Sequence, residues 1–133
     1  MLQLIFGVFM VLHGLVHLLY FGQSARRFEL RPGMIWPDGS WAFSRLLGDR
    51  TTRNLASLAC VVAAILFVAG GAGVLISQPW GPPISVAAAV FSTVTFMVFW
   101  NGKLHKVSDQ GGVGILINLA ILVAVLVLRW PPS

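Results

Sequence analysis

Four stretches of this chain are long, apolar and free of Asp, Glu and Lys: about residues 2–21, 55–76, 84–100 and 113–130. A helix that crosses a bilayer needs about 20 such residues in a row. Buried backbone groups in lipid must be satisfied within the segment, so each stretch is expected to be helical. The predicted fold class is therefore all-α: an integral membrane four-helix bundle forming a single transmembrane domain over residues 1–133. Composition supports this, since 57% of the residues are hydrophobic and only 10% are charged. A soluble domain usually carries about 25% charged residues to cover its surface.

The breaks between the stretches have local causes. Pro79, Gly81, Pro82 and Pro83 stop one helix and start the next, which predicts a tight antiparallel hairpin of helices two and three. The polar, glycine-rich run from Asn101 to Gly112 separates helices three and four, with Asp109 placed to cap the latter. Trp130-Pro131-Pro132 closes the last stretch. The first loop, about 22–52, is the long one. Its turns at Arg31-Pro32-Gly33 and Trp36-Pro37-Asp38-Gly39 lead to Ser40, a candidate cap for a short interfacial helix within about 40–48. Trp36, Trp41, Trp80, Trp100 and Trp130 all fall near expected membrane edges, as an aromatic belt would.

The net charge of +5 could suggest nucleic acid, but its distribution points to lipid. Arg26, Arg27, Arg31, Arg45, Arg50 and Arg53 lie in or beside the first loop, and Lys103 and Lys106 lie in the third. Arg26, Arg27, Arg45, Arg50 and Arg53 are the expected headgroup contacts. The positive-inside rule puts loops one and three in the cytoplasm and both termini outside, in a bacterial inner membrane. The N-terminal stretch lacks a basic n-region and a clear cleavage site, so it is expected to remain as a helix. Cys60 is the one cysteine, which excludes an intrachain disulfide and CxxC chemistry and suggests a packing role.

Packing in lipid relies on small residues, and helix two is rich in them: Ala56, Ala59, Cys60, Ala63, Ala64 and the run Ala69 to Gly73. No stretch holds the carboxylate that proton-coupled transporters of this size need. The polar groups that remain are neutral. His13 and His17 share one face of helix one, with Gly14 beside them to allow a close approach. Helix three carries Ser92, Thr93 and Thr95, and helix four carries Asn118. At about 1.5 Å per residue, His17, Thr95 and Asn118 lie roughly 7–8 Å from the expected cytoplasmic ends of their helices, with His13 and Ser92 about a turn deeper.

Three readings of this belt stand side by side. The side chains could be interhelical glue. His13, His17, Ser92, Thr95 and Asn118 could form a pocket, open to the cytoplasm, for a quinone, lipid or small polar ligand. His13 and His17 could hold a metal or haem, because an i, i+4 histidine pair can ligate one ion. His105 would have to fold inward to help. Catalysis has the least support, since no nucleophile, carboxylate partner or HExxH motif accompanies the histidines. Gly111, Gly112 and Gly114 lack the lysine-serine pair of a phosphate loop and read as a helix start and close packing.

The four-helix hydropathy, the short second loop and the run from Trp100 through Asp109-Gln110-Gly111-Gly112 to Asn118 resemble small bacterial DoxX-like membrane proteins. That resemblance implies a link to sulfur or quinone oxidoreduction and carries over no catalytic residue. The expected role is a ligand-binding or accessory subunit of a membrane complex, partnered by another membrane protein or by itself. The alternative is a small homo-oligomeric channel or transporter with a polar path past His17, Thr95 and Asn118.

Overall fold

The computed structural model describes residues 1–102 and 112–129. Lys103, His105, Lys106, the Asp109 cap, Gly111 and Trp130-Pro131-Pro132 lie outside the described residues. Four helices are present, and no strand occurs among the described residues. They are α1 (Leu2–Ser24), α2 (Ser44–Leu75), α3 (Gly81–Val98) and α4 (Gly112–Leu122), the last running on into a π-helical turn, Val123–Val127. Helices α1, α2 and α3 are long and apolar enough to cross a membrane. The fourth expected span is shorter than its apolar run implied: 11 α-helical and 5 π-helical residues, against the about 20 that a span needs.

Close packing runs from α1 to α2, from α2 to α3 and from α3 to α4. Small residues set these approaches. A Cβ on Gly14 would lie 2.7 Å from Cβ of Phe67, and one on Gly71 would lie 2.8 Å from the Gly7 carbonyl. Across the α2/α3 seam, a Cβ on Gly70 would meet Ser85 Oγ at 2.7 Å. The hairpin between them is tight, as the Pro/Gly run predicts, with prolines in the first turn of α3, where a missing N–H costs nothing. Gln3 donates from its amide to the Val74 carbonyl and to Ser77, tying the start of α1 to this hairpin. The main core cluster draws on all four helices through Phe6, Met10, Phe67, Ala88 and Ile121.

The other end is closed by loop one. Gln23 is fully buried and binds the loop from three sides. Its Nε2 donates to the Met34 and Trp36 carbonyls at 2.9 and 3.3 Å, and its Oε1 accepts from Leu30 N–H at 2.9 Å. The loop then crosses to the end of α3. Ser40 Oγ donates to the Val98 carbonyl at 2.6 Å, Trp41 Nε1 to Met97 O at 2.7 Å, and Trp41 N–H to Trp100 O at 2.9 Å. These donors take carbonyls that a helix C-terminus otherwise leaves orphaned.

Several expectations change here. Trp36 does not belong to an aromatic belt: it is 1% exposed, packed with Ala56, Cys60, Phe96 and Phe99. Trp41 and Trp80 do lie exposed. The short helix starts at Ser44, because Trp41–Phe43 form a turn, and it fuses with α2 across a kink at Gly48, whose φ is +80°. Ser40 makes the expected capping contact, its Oγ accepting from Phe43 N–H at 3.3 Å and its carbonyl from Ser44 N–H at 3.1 Å, over the turn that leads into the helix. Arg26 and Arg53 turn their guanidinium groups to Asp38, each at 2.9 Å. Arg26 also donates to the Gln23, Trp36 and Ile35 carbonyls. Both arginines thus fold loop one, leaving Arg27, Arg45 and Arg50 as the outward members of the expected headgroup set.

A polar cluster and cavity beside α1

Helix α1 presents His13, His17 and Tyr20 at i, i+4 and i+7, which is one helical face. The two histidines are buried and make different pairs. His17 Nδ1 lies 3.0 Å from the His13 carbonyl. A carbonyl only accepts, so Nδ1 carries the proton. In the neutral ring Nε2 is then an acceptor, and the Ser92 hydroxyl of α3 donates to it at 2.7 Å. Both nitrogens of His17 are satisfied by the protein. Its ring then serves as a wall, 5.0 Å from the Phe67 ring and 5.7 Å from that of Phe96, centroid to centroid.

His13 reaches the other way, to α4. Its Nε2 lies 2.9 Å from Asn118 Oδ1, so the N–H donates to the amide oxygen. Asn118 is wholly buried, and its Nδ2 has no partner among the described residues. Turning the amide over would exchange the roles and leave Oδ1 alone instead. In either orientation half of a buried amide goes unpaired, and such a group costs about 1–3 kcal/mol. Thr95 stays out of the cluster: its hydroxyl donates to Phe91 O of its own helix at 2.9 Å, the usual resting place of a mid-helix threonine. Thr93 does the same to Ala89 O. The structure therefore joins His13, His17, Ser92 and Asn118, and leaves Thr95 apart.

Beside this cluster is a cavity of about 300 Å³ lined by His13, His17, Tyr20, Arg31, Phe96 and Gly114, among others. It sits where α1, α3, α4 and loop one converge. Gly114 was expected to allow close packing, but a Cβ built there meets nothing within 4 Å among the described residues. The missing side chain leaves the cavity its room. Tyr20 was legible as the next residue on the His13/His17 face. Arg31 and Phe96 carried no such signal, because only the folding of loop one and the rotation of α3 bring them in. Among the described residues, no group of three or more His, Cys, Asp or Glu side chains is placed to hold a metal ion.

No protein-family model, no curated protein and no solved structure matches this chain.

Proposed function

We propose that this chain is a four-helix bundle integral to the bacterial inner membrane and that it works as a ligand-binding subunit of a larger membrane complex. The outward faces support the membrane setting: Leu12, Leu58, Ile65 and Leu116 are large, apolar and exposed on four different turns of the fold, which suits lipid better than water. Loops one and three, which hold most of the basic residues, face the cytoplasm in this reading, and both termini face out. The layout agrees with the DoxX-like resemblance, which remains part of the proposal.

One observation carries the binding role: a cavity walled by His13 and His17, where His13 is bonded to Asn118, a buried amide whose Nδ2 has no partner among the described residues. Small-molecule sites have this make-up, mostly apolar and aromatic walls with a few fixed polar groups. A polar cluster meant only as glue would close on itself, as the His17–Ser92 pair does.

The test is to purify the full chain in mild detergent and extract bound small molecules for mass spectrometry. Wild type is expected to release one compound at close to one per chain. Gly114→Leu, which fills the cavity from open space, is expected to release several-fold less while folding normally. A wild-type extract no different from that of an unrelated four-span protein overturns the cavity reading. Purification of the chain with no companion protein after cross-linking in cells overturns the subunit role.

A further inference from the structure

The cavity beside α1 has few polar side-chain groups left to offer a ligand. His17 has both ring nitrogens satisfied, Nδ1 by the His13 carbonyl and Nε2 by Ser92. Tyr20 and Arg31 each already make an interaction of their own. Val16, Phe96, Val113, Gly114 and Ile117 bring no polar side chain. What remains is His13. Its Nε2 is bonded to Asn118 Oδ1 at 2.9 Å, and its Nδ1 makes no hydrogen bond among the described residues. Unlike Asn118 Nδ2, that nitrogen is not sealed inside the protein, and the ring that carries it lines the cavity. The ring is also held in place. Phe9 lies parallel to it, within 3°, at 5.9 Å, and Phe67 stands at 78° to it, 4.7 Å away.

The character of this nitrogen is set from the far side of the ring. In a neutral imidazole one nitrogen donates and the other accepts, and the bond made by one fixes the role of the other. With Asn118 Oδ1 toward the ring, the proton sits on Nε2 and Nδ1 accepts. With the amide turned over, Asn118 Nδ2 donates to Nε2, the proton sits on Nδ1, and Nδ1 donates. The ring holds one proton in both states, and that proton exchanges between the nitrogens through water that enters the cavity. Each state leaves one half of the Asn118 amide unpaired, so the protein makes the same number of hydrogen bonds in both. The choice is left to the ligand. We infer that the ligand is a neutral, mainly apolar molecule with one hydrogen-bonding oxygen, held at His13 Nδ1 in either its hydroxyl or its carbonyl form by turning the Asn118 amide. A hydroxyl donates to the bare nitrogen, and a carbonyl accepts from the protonated one. An aspartate in place of Asn118 would only accept and would hold the ring in the first state. An amide offers both a donor and an acceptor at the same position. The inference rests on the cavity reading above, and its test separates the two.

The full chain, with isotope-labelled histidine, is reconstituted in phosphatidylcholine vesicles. Solid-state nitrogen NMR then tells a protonated ring nitrogen from a bare one, and the His13 signals are assigned by their loss in His13→Phe. Three bicyclic probes of similar size are added in turn: β-naphthol, which donates; α-tetralone, which only accepts; and naphthalene, which does neither. β-Naphthol is expected to keep the proton on Nε2, and α-tetralone to move the larger share of it to Nδ1. Both polar probes are expected to bind at least fivefold more tightly than naphthalene, after correction for uptake by protein-free vesicles. His13→Phe is expected to bring both ratios close to one while still binding naphthalene. The same tautomer with both polar probes overturns the inference. So do polar probes that bind no better than naphthalene in wild type, and so does a preference that survives His13→Phe. If the probes fail in any of these ways while an extracted compound is still lost in Gly114→Leu, the hydroxyl-or-carbonyl assignment falls and the cavity reading stands. If the extracted compound is unaffected as well, both fall.

Discussion

The seam between α1 and α2 and the seam between α1 and α4 use glycine in opposite ways. On the first, Gly14 is pressed against Phe67 and Ala64, and a Cβ has nowhere to go. On the second, a Cβ on Gly114 meets nothing within 4 Å among the described residues. Both are glycines in apolar helices, and sequence alone assigns them the same job. The difference shows that a missing side chain can bring two helices together or can leave a volume between them. What decides is the partner: α2 supplies an opposing wall of small residues, whereas α1 meets α4 across bulky Phe6, Phe9 and Ile117, which hold the backbones apart.

The sharpest way to break this comparison is to fill both positions. Gly14→Leu is expected to lose about 3 kcal/mol or more, at the upper end of over-packing costs, and to fail thermal-stability assays in detergent. Gly114→Leu is expected to melt at or above wild type. Equal damage from the two would mean that the seams do not differ. Next in size is His17→Leu. It strands the Ser92 hydroxyl in a buried site, with an expected loss of about 1–3 kcal/mol. His17→Leu combined with Ser92→Ala should recover part of that loss. Gly114→Ala is a smaller change of opposite sign. It should raise stability by about 0.5–1 kcal/mol, the helix penalty of glycine over alanine, because the new methyl touches nothing. The smallest effect belongs to the α1–α4 link. A double-mutant cycle of His13→Leu and Asn118→Leu should give a coupling of about 0.6 kcal/mol, typical of interhelical hydrogen bonds in membranes. Reversible unfolding in mixed detergent would measure it.

Much of the fold could be read from the chain because its causes are local. Pro79 to Pro83 break the helix wherever the sequence is placed, and α2 and α3 end within a few residues of the expected positions. Helical rise put His17 level with Asn118 and His13 level with Ser92, whereas the bonds run from His17 to Ser92 and from His13 to Asn118. Which groups pair was not legible, because that depends on helix rotation, and Thr95 at a suitable depth turned to its own backbone. Loop one was the least legible. Its order comes from Gln23 and Arg26, which bind backbone carbonyls of residues 34–36. No periodicity marks such contacts. Reading Trp36 as a belt residue followed from treating the loop as a string of side chains facing outward, when it is a small folded cap in which Trp36 is buried.

That cap also sets an order of assembly in time. Ser40 and Trp41 complete their bonds only with Val98 and Met97, residues 58 and 56 positions later. A ribosome adding about 5–20 residues per second needs roughly 3–12 seconds to cover that distance. During that interval α1 and α2 already exist while the loop between them lacks its last partners. The first half of the chain therefore cannot finish its own connection. The newly made end of α3 closes it.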